Sequence, residues 1–259
     1  MKECILSLWR WRALLWYLVK VDFKVTYQNK ILGYIWSLLD PLMLMAVYVV
    51  LVQYIFRMGE PLYPVLLFST LLPWHWFLHA VQRSTTCITG RGKLIQTVAF
   101  PKILLPTQEV LSTFSQYLFG FGALLLLLWA FKVQITIYIF WLPLAILAQF
   151  MLTWGIALLC SVGGVYFRDL SNILQFSLRM LWYLSPGLYS VADRIPISYR
   201  PIYMLNPFAA LFETYKNILV RGQPPPMQYL WLALGLGVIF LLLGFWLFAR
   251  QERNLAKEV

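Results

Sequence analysis

The chain has 259 residues, 61% of them hydrophobic and 12% charged, with a mean hydropathy of +0.71, a balance that excludes an ordinary soluble domain and makes lipid the main solvent. Its net charge of +11 would raise the question of nucleic acid in a soluble protein. Here the basic residues sit in short segments between apolar runs, so membrane topology accounts for them and no nucleic-acid partner is expected.

In chain order, residues 1–30 open on a helical pattern: Arg10, Ala13, Tyr17, Lys20 and Lys24 recur every three or four positions along one stripe. Trp11, Leu14, Leu15, Leu18 and Val25 occupy the adjoining face, with Arg12 and Asp22 interrupting the pattern. Such a helix is expected to lie in the membrane plane, its basic stripe toward lipid phosphates. No removable signal peptide is expected before it.

Six apolar segments follow, at about 31–56, 62–81, 110–131, 135–165, 171–191 and 229–249, each near the length that crosses a bilayer. The predicted fold is therefore all-α, one transmembrane domain over 1–259. It comprises an interfacial helix (1–30), spans one to five (31–191), short outer helices (192–228), span six (229–249) and a tail (250–259). Lys and Arg concentrate in 2–30, 83–102, at Arg168 and in 250–257, which puts both termini on the cytoplasmic side.

Within the first span Asp40-Pro41 reads as an N-cap and first helical residue, so a helix break is expected there. In the outer segment Asn206 caps a helix begun by Pro207, with Phe208, Leu211, Phe212, Tyr215 and Leu219 on its apolar face and Gly222 and Pro224 to Pro226 stopping it. This half-inserted helix either covers a pore or simply packs. Gly120, Gly155, Gly163 and Gly237 read as close-packing sites. Cys4, Cys87 and Cys160 have unrelated spacings and predict neither disulfide nor metal site.

Chemistry-bearing patterns are sparse. There is no G-x-x-x-x-G-K-[ST] loop, and Gly90-Arg91-Gly92-Lys93 lacks the spacing and the preceding strand. His75 and His79 share a helix face, but no Cys, Asp or Glu is evidently placed to complete a metal site. Asp40, Glu109 and Asp169 fall in different segments and form no acid–base pair. No enzyme activity, metal or cofactor is expected in this chain.

Several stretches taken together resemble the permeases of polysaccharide-exporting ATP-binding-cassette transporters, the family that includes Wzm-type O-antigen, capsule and teichoic-acid exporters. They are the run from Tyr27 through Gly33 to Trp36 with Pro41 following, Leu72-Pro73-Trp74-His75-Trp76-Phe77, and Ala99-Phe100-Pro101-Lys102-Ile103-Leu104-Leu105-Pro106. Further on come Tyr166-Phe167-Arg168-Asp169-Leu170, Ser185-Pro186-Gly187-Leu188-Tyr189 and Asn206-Pro207. The resemblance implies a homodimer in the bacterial inner membrane with two separate ATPase subunits that bind ATP and Mg, moving a lipid-linked polysaccharide. The alternative is a permease for a drug or another lipid. By the same resemblance Thr89, Gly90, Arg91, Gly92, Lys93, Arg168 and Asp169 contact the ATPase, and Asn206, Pro207, Phe208, Phe212 and Tyr215 form an outer gate. Sugar rings stack on aromatic faces, which makes Trp36, Tyr48, Trp74, Trp76, Trp182, Tyr183 and Tyr189 candidates for the channel wall.

Overall fold

The computed structural model describes residues 2–27, 36–57, 60 and 62–255. Two helices open the chain, α1 (Lys2–Arg10) and α2 (Arg12–Tyr27). The whole basic stripe, Arg10 to Lys24, faces outward, while Leu15 and Val19 are buried against a later helix. Asp22 interrupts the stripe because it belongs to this protein-facing side, where it meets Arg83. The motif residues 28–35, around Gly33, lie outside the described residues.

The next helix, α3 (Trp36–Val49), runs straight through Pro41 and ends in a π-helical turn, Val50–Ile55. The expected break at Asp40-Pro41 is therefore corrected. Asp40 lies inside the helix, and Pro41 forfeits only the one backbone bond that would run to Ser37. Few side chains of this span are buried: 6% of Leu38–Ile55 against 78% in the following span.

That following helix, α4 (Tyr63–Thr86), is the central post. A short helical turn, Thr89–Arg91, and α5 (Gly92–Thr97) lead into α6 (Leu104–Ala130). This helix starts six residues before the apolar run because Gln108 and Glu109 are buried and paired inside the protein. A 3-10 turn, Ile137–Trp141, precedes α7 (Leu142–Tyr166). The main core lies where α4 meets α6 and α7. A smaller cluster, including Cys4, Cys87, Ile103 and Phe248, sits at the basic end.

After α7 comes α8 (Leu170–Leu184), only 15 residues, about 22 Å at 1.5 Å per residue. Hydropathy carries the fifth segment on to 191, but Pro186 forces Ser185 into extended backbone (φ −98, ψ 151) and ends the helix there. Among the described residues five helices are long and apolar enough to cross a membrane, and α8 is not one of them. Short helices α9 (Val191–Arg194) and α10 (Arg200–Tyr203) lead to α11 (Pro207–Lys216). A π-helical turn, Asn217–Arg221, closes on Gly222 at φ 62, a left-handed conformation suited to glycine. The last helix is α12 (Met227–Leu255).

Helices α7 and α12 touch backbone to backbone. A Cβ on Gly155 would collide with the main chain of Phe240 and Leu241, and one on Gly244 would come 2.7 Å from the Gly155 carbonyl. Gly237 makes a third such approach, 2.9 Å from the Ala148 carbonyl. Gly155→Leu is expected to lower stability by about 1–3 kcal/mol, read as an earlier thermal transition of the purified chain in detergent. An unchanged transition temperature would contradict the tight seam.

Candidate functional site

Tyr48 of α3, Trp74 and His75 of α4, and Arg179, Trp182 and Tyr183 of α8 border a cleft of about 360 Å³ that Gln82 and Gln175 also line. Trp74 and Trp182 lie 5.5 Å apart, centroid to centroid, and the Tyr48 and Tyr183 hydroxyls are 3.5 Å apart. Aromatic faces, amides and a guanidinium thus share one wall.

Trp76 is not part of it. Two residues beyond Trp74 on a helix is roughly the opposite face, and Trp76 stacks on Tyr117 at 5.1 Å with Phe114 at 4.9 Å in the α4–α6–α7 core. Trp36 is 42% exposed at the start of α3 and does not line the cleft.

Tyr189 borders a second, larger cavity of about 540 Å³ instead, together with Leu51, Val52, Glu60, Arg194, Lys216 and Arg221. Both π-helical turns reach it, the one after α3 through Leu51 and Val52 and the one after α11 through Arg221. One wall is a buried ion cluster. Glu213 accepts from Arg221 at 2.8 Å and from the Val191 amide at 3.2 Å. The Lys216 ammonium donates to the carbonyls of Pro186 at 2.5 Å and Tyr189 at 2.6 Å. Burial pushes Lys216 down to about 8 although Glu213 works against it.

The gate candidates are deeper than an amphipathic helix predicts. Asn206 does cap α11, its Oδ1 accepting from the Phe208 amide at 3.0 Å, and its Nδ2 donates to Ser185 at 2.9 Å. Beyond Pro207, every residue from Phe208 to Lys216 is buried. Phe208 and Phe212 pack on Trp74. Tyr215 donates to Gln149, which donates to the Pro73 carbonyl at 2.6 Å, joining α11, α7 and α4. Packing accounts for this helix, because α4, α7 and α12 cover its polar side as well.

At the basic end Thr89 and Arg168 border one cavity of about 380 Å³ with Thr85, Thr86, Gly164 and Ser171. Residues far apart in sequence thus share one surface. Thr89, Gly90 and Asp169 are exposed, Gly92 is half-buried, and the Lys93 side chain lies outside the described residues. Arg91 turns inward, donating to Gln108 at 2.5 Å and to Glu109 at 2.8 Å. Arg83 pairs with the other Glu109 oxygen at 2.7 Å and with Asp22 at 2.6 Å. The sequence reading missed this network, although Asp22 interrupting a basic stripe was its one visible sign. Asp40 also comes to the histidine pair, a meeting that no local spacing shows: its Oδ2 lies 3.9 Å from His75 Nδ1.

The sequence profile of ABC-2 type transporters matches residues 13–220. The chain belongs to the ABC-2 type transporter family. It is 28% identical over 260 residues to the O-antigen export system permease protein RfbA of Myxococcus xanthus, covering 100% of both chains. A permease of the same name from Klebsiella pneumoniae is 25% identical over 237 residues, 91% of each chain. The ABC-2 match runs from α2 through α11, so it includes the cleft, the basic-end surface and all of the larger cavity's lining but Arg221.

Proposed function

We propose that this ABC-2 chain is the permease subunit of an ATP-driven exporter that moves lipid-linked polysaccharide out of the cytoplasm across the bacterial inner membrane. The observation that carries the reading is the aromatic and amide-lined cleft between α3, α4 and α8, beside faces the chain leaves uncovered. Val47 of α3, Val50 of the turn that follows it, and Ile173, Phe176 and Met180 of α8 are 50% exposed or more. A second copy covers those faces and turns two clefts into one passage. The names of the relatives supply the substrate class.

The physical case rests on sliding. A sugar ring presents C–H faces to Trp and Tyr and hydroxyls to Gln and Arg, and neither contact demands one fixed linkage. Many weak contacts hold a polymer without trapping it. Tyr183, 53% exposed, is the residue to test. Tyr183→Ala should slow transport about three- to tenfold, the loss of one aromatic contact worth about 1 kcal/mol, while assembly and ATP hydrolysis persist. Unchanged transport would remove Tyr183 from the pathway.

The basic end faces the cytoplasm by the excess of Lys and Arg there, and with it both termini. The outward stripe of α2 lies against lipid headgroups. Counted with the five long apolar helices, α8 and the turn at 185–190 make the sixth crossing. Two separate ATPase subunits bind ATP and Mg and dock where Thr89, Gly90, Gly92, Lys93, Arg168 and Asp169 are gathered. Arg91 anchors that surface to α6, so ATPase closure moves helices and not a loose loop. Helix α11 closes the outer end by joining α4 and α7 under the larger cavity.

Inverted membrane vesicles test the whole reading. ATP-dependent movement of lipid-linked glycan into the lumen should require both this chain and its ATPase, and should vanish with a hydrolysis-dead ATPase. A complex that hydrolyses ATP but moves a drug or a free lipid in place of glycan would overturn the substrate class.

A further inference from the structure

We infer that Asp40, His75 and His79 bind a divalent transition cation of the zinc class, bridging α3 to α4 beside the aromatic cleft. One ligand atom from each of the three lies within 4.8 Å of the other two. His75 and His79 stand one turn apart on α4 with ring centroids 5.4 Å apart, edge to face, so their nitrogens converge on the same side. The carboxylate comes from another helix.

Two imidazole nitrogens and one carboxylate oxygen form a donor set that takes zinc with an open position for water. Metal–ligand distances of about 2.0–2.1 Å in a tetrahedron require ligand atoms about 3.3 Å apart. The arrangement is thus slightly open. Asp40 can close it, because its side chain is 63% exposed whereas that of His75 is 13% exposed and held by the packing of α4. His75 also lines the 360 Å³ cleft, which gives an ion and its water a way in. The ligands span two helices, so a bound ion clamps the loosely packed α3 to the central post.

The chain contains only these two histidines, and that makes the experiment specific. The full chain, without a polyhistidine tag, is placed in lipid nanodiscs, stripped with chelator and titrated with cobalt(II), with zinc as competitor. Expected is one equivalent per chain with the visible absorption of a four- or five-coordinate nitrogen–oxygen site, displaced by zinc. His75→Gln and His79→Gln should each weaken binding about 100-fold and Asp40→Asn about tenfold.

Thermal transitions measured without metal establish that each variant is folded, and Asp40→Asn, at an exposed side chain, keeps the test open should a histidine variant fail. Cobalt binding no tighter than in the double histidine variant would overturn the site. Binding that depends on both histidines but ignores Asp40→Asn would overturn the bridge between α3 and α4.

Discussion

Glu109→Gln should destabilise the folded chain by about 2–4 kcal/mol. The carboxylate is 5% exposed and stands between two guanidinium groups, Arg83 and Arg91, each 30% exposed. Asp22 offsets part of the Arg83 charge, so the four groups balance as two acids and two bases. Removing Glu109 leaves two cations facing one acid, and the partial exposure of the guanidiniums keeps the cost below that of a fully buried pair. Thermal or denaturant unfolding of the purified chain measures it.

One control separates charge balance from packing. Arg91→Met added to Glu109→Gln removes one of the stranded cations and should recover part of the loss, so that the double variant loses less than the sum of the two single losses. Additive losses would mean that Glu109 matters for its volume alone. The network also bears on coupling. It ties α2, α4, the Thr89–Arg91 turn and α6 together, so folded Glu109→Gln protein should hydrolyse ATP with its partner yet drive less transport per ATP.

Local features were readable in the sequence and long-range ones were not. Asn206-Pro207 and Gly222 announce helix limits through chemistry within two or three residues: α11 begins at the first, and the π-helical turn that continues it ends at the second. Hydropathy finds a helix interior but not the residue that stops it, so the fifth segment ran past Pro186 to 191 while α8 ends at Leu184. Aromatic content does not say which way a ring points. Trp74 and Trp76 look equivalent in the sequence, yet one borders the cleft and the other fills the core.

The ion clusters were hidden for a different reason. Asp22 is 61 positions from Arg83, and nothing local pairs them. Arg91 reads as one more basic loop residue until Gln108 and Glu109 are seen behind it. Polar residues at the start of α6 were excluded from a span on composition, although their partners make them part of the helix. In each case the decisive fact is which helix lies opposite, and a single sequence carries little of that.

Lys216→Met should be the second large effect, and it should act on one turn more than on the whole fold. The ammonium is 3% exposed and holds the carbonyls of Pro186 and Tyr189, at either end of the turn that follows α8. Methionine keeps the length and loses both hydrogen bonds to these carbonyls, together with the 3.4 Å pairing to Glu213. Each buried carbonyl left without its donor costs about 1–3 kcal/mol, and part of that is recovered if the turn opens to water. Global unfolding should therefore shift by about 2–3 kcal/mol, with faster hydrogen exchange concentrated at amides 187–191.

Glu213 remains paired with Arg221, so Lys216→Met tests the carbonyl latch without leaving an acid alone. Glu213→Gln makes the complementary cut, stranding Arg221 and Lys216 together. If the turn is the hinge between α8 and the outer helices, Lys216→Met should loosen it and alter transport while ATP hydrolysis continues. Exchange rising evenly across α11 and α12 would instead make Lys216 a core contact and not a latch on the turn.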